Sequence, residues 1–312
     1  MLSAEDIQAF EDAPTPSRAQ AQELVEQARR DAEGLSDIAD AIAIGLVISY
    51  RQALSDFADA VARWLFSQPD DTIYTTASHA RLLREIAPSL QTVRGLGPQI
   101  DAALTTARHQ ARDRAGENLA RQLGIMGVDG VDPDLDDEHV TAPVRTDRAG
   151  DRWAMGVTGA MTLAVAAYLV RPTTIADMRA GLAGREPSAR QDGLSSQIQA
   201  QVGRPWMDTA LLRYARDEVQ TQYHDRFADL TGEIARAVPG VQKRWDSQLD
   251  RSVCPVCNDL DGKIVAEGES FSGALGVSGF DLDTDLDSPP AHKNCRCNLT
   301  IWHEDWPEPP RQ

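Results

Sequence analysis

Apolar residues recur every three to four positions along most of this chain, which is the period of an α-helix with one buried face. The clearest stretch runs through Ile38, Ile42, Leu46, Ser49, Ala53, Phe57, Val61 and Trp64. Ser17 followed by Gln20 is typical of a capping box and predicts where this helix begins. Gly34 predicts an internal break, and Pro69 predicts the end. The pattern therefore indicates one long amphipathic helix.

Prolines divide the next helical stretches. Periodic segments run from Pro69 to Pro88 and from about Leu90 to Gly124, and Pro98 predicts a boundary or a kink in the second. A later apolar stripe ends near Pro239. It consists of Trp206, Ala210, Tyr214, Tyr223, Phe227, Leu230 and Ile234. Such faces are typical of the core of a helical bundle.

The segment from Ala154 to Val170 carries no charge and is fairly apolar. It is shorter than the roughly 20 residues that usually cross a bilayer, and it contains Gly156 and Gly159. We therefore expect a buried helix and no membrane span. Because glycines let helices approach closely, a membrane-active or subunit-packing helix is the alternative hypothesis.

A change of composition separates the helical regions. Residues 125–148 crowd six acids, from Asp129 to Glu138, between glycine and proline and offer almost nothing apolar to bury, which is typical of a linker. We predict an N-terminal helical region at 1–124, an acidic linker at 125–148, a second helical region at 149–240 and a Cys/His module at 241–312.

The charge balance limits the partners. The 312 residues carry a formal net charge of -17, which opposes indiscriminate binding to phosphate backbones. Direct DNA binding would need a local basic patch. One candidate stripe contains Arg108, Arg112, Arg114 and Arg121, although this spacing is more typical of a solvated helix face. Residues 1–11 lack the basic flank and apolar core of a signal peptide, so we expect synthesis in a cytoplasm.

All four cysteines of the chain lie in one short region with a histidine. The five candidate metal ligands are Cys254, Cys257, His292, Cys295 and Cys297. Two pairs, Cys254 with Cys257 and His292 with Cys295, have the spacing of a zinc knuckle. We favour a structural zinc bound by Cys254, Cys257, His292 and one of the last two cysteines. Disulfides and free buried thiols are the alternatives.

A catalytic zinc is the weaker hypothesis, because four protein donors leave no open position for water and no base motif accompanies them. Between the ligand clusters, Asp261-Gly262 predicts a turn and Ile264-Val265 a short strand. Metal would then replace a core too small to fold alone. Losing one ligand should unfold the chain from about residue 245 onward and spare the helical half.

Short sequence motifs around these candidate ligands resemble those of a known protein family. They are Trp245-Asp246, Asp250, the stretch Val253-Cys254-Pro255-Val256-Cys257-Asn258-Asp259-Leu260-Asp261-Gly262, and the stretch Pro289-Pro290-Ala291-His292-Lys293-Asn294-Cys295-Arg296-Cys297. Together they resemble the Mu F-like minor head proteins of tailed phages. Arg216-Asp217-Glu218 stands where that family has an Arg-x-Glu helix element. The resemblance covers about residues 205–302.

The resemblance implies a structural protein of the virion that joins the prohead at the portal vertex and assists genome packaging or ejection. Its implied partners are the portal protein and a major capsid or scaffolding protein, with contact to packaged DNA left open. It implies an oligomeric assembly and no catalysis. The corresponding fold class is mainly α, with long helices in a bundle or extended arms and a small C-terminal zinc-stabilised α+β module.

Arg216 and Glu218 are two residues apart on one predicted helix, so their side chains point in different directions. We do not expect them to pair with each other. We expect one or both to tether this helix to the metal-bearing tail through ion pairs or backbone hydrogen bonds.

Two other classes of protein remain as alternatives. Glu267-Gly268-Glu269 is similar to the Glu-x-Glu of ADP-ribosyltransferases, but it lacks the upstream arginine and Ser-Thr-Ser strand of those enzymes. A zinc-ribbon regulator of nucleic acid would need basic residues converging near the cysteines, and the basic residues there are Arg251, Lys263, Lys293 and Arg296 among many acids. Serine-hydrolase, P-loop and zincin motifs are absent from the sequence.

Overall fold

The computed structural model describes residues 4–128, 149–170, 172–182, 209–272, 286–292 and 295–309. These residues are mainly helical and end in a small three-stranded sheet, which confirms that part of the predicted fold class. The helices are α1 (Ala4–Asp12), α2 (Arg18–Phe66), α3 (Thr76–Ile125), α4 (Ala149–Ala166), α5 (Ile175–Leu182), α6 (Thr209–Ala237) and α7 (Pro255–Leu260). The strands are β1 (Val241–Asp246), β2 (Ile264–Ala266) and β3 (Asn298–His303). Trp206 and most of the predicted acidic linker, residues 129–148, lie outside the described residues.

The start of α2 is confirmed, but its predicted break is not. Ser17 donates its backbone N–H to Gln20 Oε1 (2.9 Å), and Gln20 returns its N–H to Ser17 Oγ (3.3 Å), which is the predicted capping box. The helix then continues through Gly34 to Phe66. Leu35 is buried just beyond the glycine. Burial of the surrounding face outweighs the roughly 1 kcal/mol by which glycine disfavours a helix interior.

A helix boundary at Pro88 or Pro98 is wrong, because both prolines lie inside the single helix α3, and the alternative of a kink at Pro98 stays a prediction. Each proline removes one backbone hydrogen bond from the helix. Fully or almost fully buried apolar side chains flank both sites, namely Leu82, Ile86, Val93, Leu96, Ile100 and Leu104. This tertiary burial holds the helix together across the two lost bonds.

The chain divides into two compact units. Unit 1 contains residues Met1–Ala41, Thr106–Val144 and Arg213–Gln312, and unit 2 contains Ile42–Thr105 and Arg145–Leu212. Helices α2 and α3 therefore contribute to both units. The four ranges predicted from the sequence stay predictions about how the chain folds.

Alanines let the helices of unit 1 pack closely. On α3, Ala107, Ala111 and Ala115 follow one another at four-residue spacing and are fully buried. The predicted stripe of α6 supplies the large side chains of this core, including Tyr223 and Phe227. Asn118 Nδ2 donates to the Tyr223 hydroxyl (3.0 Å), which satisfies a polar group inside the core.

The sheet of unit 1 has the order β2-β1-β3, and both pairings are antiparallel. Its central strand carries Trp245, which is fully buried and packs edge-on against Phe271 with ring centroids 5.2 Å apart. Helices α2 and α3 of the same unit form hydrogen bonds with the edge strand β3. Asn298 Nδ2 donates to Ala28 O (2.6 Å), and Ile301 N–H donates to Gln122 Oε1 (3.1 Å). The sheet is thus built onto α2 and α3.

In unit 2, α3 and α4 approach each other through two glycines. A Cβ added to Gly150 would collide with the carbonyl oxygen of Gly97. Gly150 N–H donates to Asp101 Oδ1 (2.9 Å), which fixes the start of α4. Trp153, one turn further, packs edge-on against Tyr50 of α2 at 5.2 Å between ring centroids. Backbone contact therefore sets the spacing of these helices.

We expect Gly150→Ala to lower the free energy of unfolding by about 1–3 kcal/mol, because the new methyl group collides with backbone that cannot rotate away. Gly156→Ala is the matched control on the same helix. A Cβ at Gly156 has no neighbour within 4 Å, so this change should be neutral or stabilising by up to about 1 kcal/mol. Urea unfolding followed by circular dichroism measures both. Equal effects would contradict the close approach.

The helix predicted between Ala154 and Val170 exists, but it is buried on one side only. Val157, Met161 and Ala164 are buried, whereas Met155 and Leu163 are 63% and 59% exposed. Among the described residues, no helix is both long and apolar enough to cross a membrane.

Tyr74 and His79 form a local pair in unit 2. The Tyr74 hydroxyl lies 2.7 Å from His79 Nδ1, and burial lowers the pKa of His79. The folded protein therefore disfavours the imidazolium, while the unfolded chain accepts a proton near pH ~6.5. Because the unfolded state binds more protons, stability should fall as the pH drops below that value.

This effect can be isolated by measuring the melting temperature of the protein and of His79→Gln between neutral and mildly acidic pH. Glutamine retains a hydrogen-bonding side chain but does not titrate. The melting temperature of the variant should therefore fall less steeply on acidification. Parallel pH profiles would show that His79 does not contribute.

Candidate metal centre

The first two cysteines are positioned by the short helix α7. Cys254 is its N-cap in an extended conformation (φ -82°, ψ 159°), and Pro255 occupies the first turn. Cys257 N–H donates to Cys254 Sγ (3.3 Å), as a side-chain oxygen usually accepts at this position. Both sulfurs therefore lie on the same side of one helical turn, which is the arrangement that the Cys-x2-Cys spacing predicts.

His292 approaches this pair from the second ligand cluster. Its Nε2 atom lies 2.9 Å from Cys254 Sγ and 3.0 Å from Cys257 Sγ. A backbone hydrogen bond from Cys295 N–H to His292 O (3.0 Å) closes the turn that brings the next cysteine back. Cys254, Cys257 and His292 form one group that could hold a metal ion.

Cys257, Cys295 and Cys297 form a second group of potential ligands, so Cys257 belongs to both. The Cys257 and Cys295 sulfurs are 3.8 Å apart. Two thiolates on one tetrahedral zinc are separated by about 3.8 Å, as follows from Zn–S bonds of about 2.3 Å. The structure thus places all five predicted donors in two overlapping groups, and their chemistry of sulfur and imidazole nitrogen suits zinc.

The pKa values of the buried thiols are shifted in opposite directions. Hydrogen bonding to Cys295 and burial raise the pKa of the Cys257 thiol, whereas hydrogen bonding to Cys257 and Cys297 lowers the pKa of Cys295. All three sulfur-bearing residues are buried. A second thiolate in this space meets like-charge repulsion unless a cation offsets it. A cation between these sulfurs would offset that repulsion.

Cys297 differs from the other cysteines because Ser247 contacts its sulfur. Ser247 Oγ lies 3.3 Å from Cys297 Sγ and 2.6 Å from the carbonyl oxygen of Cys257. Ser247 N–H in turn donates to Asp261 Oδ1 (2.7 Å). A hydroxyl thus occupies the space between Cys297 and the turn that carries Cys257.

An exposed ion pair braces the two ligand clusters against each other. Arg296 donates to both carboxylate oxygens of Asp250, each at 2.7 Å, and to Ser252 Oγ at 3.0 Å. The Arg296 guanidinium and Ser252 hold the pKa of Asp250 well below its usual range. Bidentate geometry orients the backbone that carries Cys295 and Cys297.

His224 is a buried neighbour of the centre that the sequence did not reveal. It lies on α6, is 1% exposed, and packs edge-on against Tyr223 at 5.0 Å between ring centroids. Burial lowers the pKa of His224 to about 4, and the nearby Cys295 thiolate and Cys297 backbone oppose this shift. The residue directly follows an aromatic in an apolar stripe, so sequence reasoning assigns it to the core.

Arg216 and Glu218 do not pair with each other, as predicted, but their predicted contact with the metal-bearing tail is wrong. Arg216 donates to both Asp40 carboxylate oxygens on α2 (2.7 and 2.6 Å), and Glu218 accepts from Arg108 Nε on α3 (2.6 Å). These residues join α6 to the neighbouring helices. Spacing along one helix could not identify partners more than 100 residues away.

The predicted solvated stripe on α3 is also wrong in part, because its arginines serve internal ion pairs. Arg108 is 5% exposed beside Glu218, and Arg121 Nη1 lies 2.9 Å from the buried Asp31 carboxylate. Arg114 pairs with Glu117 on its own helix. These three side chains are committed to carboxylates of the protein itself.

The Glu267-Gly268-Glu269 segment follows β2 and has local structural contacts. A Cβ added to Gly232 of α6 would lie 2.5 Å from Glu267 Oε1, so this carboxylate packs directly on the helix backbone. Glu269 Oε2 accepts from the N–H of Ala266 (3.3 Å), and Glu269 N–H donates to Ala266 O (3.1 Å). The two carboxylates thus shape the turn after β2.

Residues 189–300 match the family model described as Phage Mu protein F like protein. This range contains α6, the sheet strands β1 and β2 and all five candidate ligands. It confirms the family resemblance derived from the sequence words. No curated protein and no solved structure matches the chain.

Proposed function

We propose, because residues 189–300 form a Mu F-like region, that the protein is a structural minor head protein of a tailed phage or phage-like particle. The family supports the coarser assignment to phage head morphogenesis. Beyond it, we propose association with the portal vertex during head assembly and a role in genome packaging or ejection. The family match is the observation that carries this proposal.

We further propose that the centre binds a structural zinc ion through Cys254, Cys257, His292 and Cys295. The sulfurs of Cys254 and Cys257 lie 2.9 and 3.0 Å from His292 Nε2, and the distance of 3.8 Å between the Cys257 and Cys295 sulfurs equals the edge of a zinc–thiolate tetrahedron. Cys297 is left out because Ser247 holds its sulfur. When bound, zinc supplies a fourfold crosslink between the two ligand clusters, and the saturated site gives no open position for catalysis.

Surface chemistry also supports a role in assembly. Among the described residues, the large apolar side chains that are most exposed all belong to unit 2. They are Ile44, Ile48, Phe66, Ile73, Met155, Leu163 and Val170. Exposed apolar surface on a folded chain is typical of protein interfaces. We propose that unit 2 contributes to contacts with the portal protein or another head subunit.

Sedimentation velocity of the purified chain mixed with the portal protein of the same phage or phage-like particle tests the assembly role. We expect a common boundary that is absent when either protein sediments alone. Particles purified from the same phage should contain the chain in few copies. Separate boundaries under assembly conditions, together with particles that lack the chain, would refute the proposal.

A further inference from the structure

A cleft in unit 2 collects arginine side chains at the ends of α2 and α3. It has a volume of about 700 Å³ and is lined by Arg63, Arg81 and Arg84 together with Ala60, Trp64, Ser67, Gln68 and Glu85. A second cleft of about 510 Å³ adjoins it and shares Arg63 and Ser67. Glu85 lines the larger cleft and Asp59 lines the smaller one, so three arginines stand against two carboxylates. The lining therefore offers an excess of hydrogen-bond donors and positive charge.

Two of these arginines differ from those of the α3 stripe. Arg108, Arg114 and Arg121 are paired with carboxylates, whereas the side chains of Arg63 and Arg81 make no ion pair or hydrogen bond with the described residues. Both are exposed. Guanidinium groups that converge on a cleft without internal partners are available to an anionic ligand.

The electrostatic setting of unit 2 also permits an anion. The described residues of the unit include seven arginines and eight Asp or Glu residues, so this part of the chain is close to neutral. The excess of acids that gives the chain its net charge of -17 belongs to unit 1. Local repulsion of a phosphate group is therefore much weaker at this cleft than the whole-chain charge suggests.

An exposed aromatic ring stands beside the guanidiniums. Phe66 lines the adjoining cleft with Arg63, and it is 71% exposed. The Arg179 guanidinium lies 5.0 Å from the Phe66 ring centroid. An aromatic ring next to a positively charged groove is the combination by which proteins bind single strands, with bases stacked on the ring and phosphates held by the cations.

Segment 172–179 makes this end of unit 2 rigid. Arg179 Nη2 donates to the carbonyl oxygens of Leu65 and Gln68, each at 2.6 Å, and Arg179 also pairs with Asp70. Tyr74 N–H donates to Thr173 O (2.8 Å). These contacts from Thr173 and Arg179 hold the turn between α2 and α3 in place. A preformed site loses little conformational entropy when a ligand binds.

We propose that this cleft binds a single strand of nucleic acid, with Arg63 and Arg81 contacting its phosphates and Phe66 stacking on a base. The Nη groups of Arg84 supply further donors, because only its Nε is used by the carbonyl oxygen of Ala80. The site contacts backbone and ring faces only, so it has little preference for sequence. This proposal does not rest on the head role, because the purified chain alone should bind.

The test is fluorescence anisotropy of the full chain with a labelled oligothymidylate on the order of 15 nucleotides long, titrated at several salt concentrations. The double variant Arg63→Gln/Arg81→Gln should bind at least about tenfold more weakly at low salt, and its salt slope should fall by about 2. The matched control is Arg18→Gln/Arg94→Gln, which changes the net charge equally at two exposed arginines elsewhere. It should change affinity less than about twofold.

Phe66→Ala separates stacking from charge. It should weaken binding of the single strand roughly tenfold and leave binding of a duplex of the same length almost unchanged. Circular dichroism confirms that each variant is folded. Equal losses in the two arginine double variants would overturn the proposal, and so would the absence of salt-dependent binding by the unmodified chain. Competition by a polyglutamate peptide as effective as the oligonucleotide would assign the cleft to an acidic protein segment instead.

Discussion

Cys257→Ser should abolish binding of the proposed zinc ion and unfold unit 1 as a whole. Cys257 belongs to both groups of potential ligands, so its loss leaves neither group complete. Structural zinc contributes on the order of 10 kcal/mol of apparent folding free energy in small zinc domains, which exceeds the total stability of many domains. Metal analysis by mass spectrometry should therefore find much less than one zinc ion per chain.

The extent of unfolding distinguishes this expectation from the one that the sequence alone suggested. A separate tail would unfold from about residue 245 and spare the helices. In the structure, Arg29 Nε donates to Ser247 O (2.9 Å), and Gln248 Nε2 donates to Arg29 O (2.6 Å). The segment after β1 is thus joined to α2 by two hydrogen bonds, one from the side chain and one to the backbone of Arg29. Hydrogen exchange should therefore show lost protection in α6 and the first part of α2, while unit 2 remains protected.

Cys297→Ser is the matched control for that experiment. It removes a buried sulfur from the same centre but, in the proposed ligand set, leaves all four zinc donors. Zinc content should stay near one ion per chain, and the melting temperature should change by only a few degrees. Loss of metal from Cys297→Ser with retention in Cys295→Ser would exchange the roles of these two cysteines. Retention of zinc by Cys257→Ser would contradict the proposed centre.

The second large effect is expected from Arg108→Ala. Arg108 is 5% exposed and its Nε lies 2.6 Å from Glu218 Oε1, so removing the guanidinium leaves a largely buried carboxylate without this partner. Breaking a buried pair in this way typically costs about 3–5 kcal/mol. Arg114→Ala on the same helix is the control, because its pair with Glu117 is exposed and should contribute less than about 1 kcal/mol.

A double-mutant cycle completes this prediction. Arg108→Met/Glu218→Gln removes both charges and keeps similar volumes, so it should recover much of the stability lost in Arg108→Ala. Denaturant unfolding of the unmodified protein, Arg108→Met, Glu218→Gln and the double variant gives the four free energies of unfolding that the cycle needs. If the Arg108→Ala and Arg114→Ala proteins unfold at the same denaturant concentration, the Arg108–Glu218 pair does not join α6 to α3 in solution.

Local sequence signals were sufficient wherever the interaction spans one turn. The capping box of Ser17 and Gln20, the apolar stripe through Tyr223 and Phe227, and the approach of Cys254 to Cys257 all depend on residues three or four apart. Proline gave a wrong boundary at Pro88 and Pro98 because the helix there is held by side chains packed from other elements.

Interactions between residues far apart in the chain could not be predicted from the sequence. The partners of Arg216 and Glu218 lie on α2 and α3, and nothing in an Arg-x-Glu spacing identifies Asp40 or Arg108. The same limit applies to the cleft at Arg63 and Arg81, which are 18 positions apart and meet only because α2 and α3 are antiparallel neighbours at their connecting turn. Convergence of charge is a property of the fold.

The hydrogen bonding of the edge strand β3 has a consequence for how the protein can assemble. Backbone N–H groups on the open side of β3 are already satisfied by side chains, since Leu299 N–H donates to Asn298 Oδ1 (2.9 Å) and Ile301 N–H to Gln122 Oε1 (3.1 Å). An unprotected edge invites strand addition by another chain and, at high local concentration, aggregation. Those two N–H groups are unavailable on the β3 edge, so this edge should not recruit another copy of the chain into intermolecular β-structure.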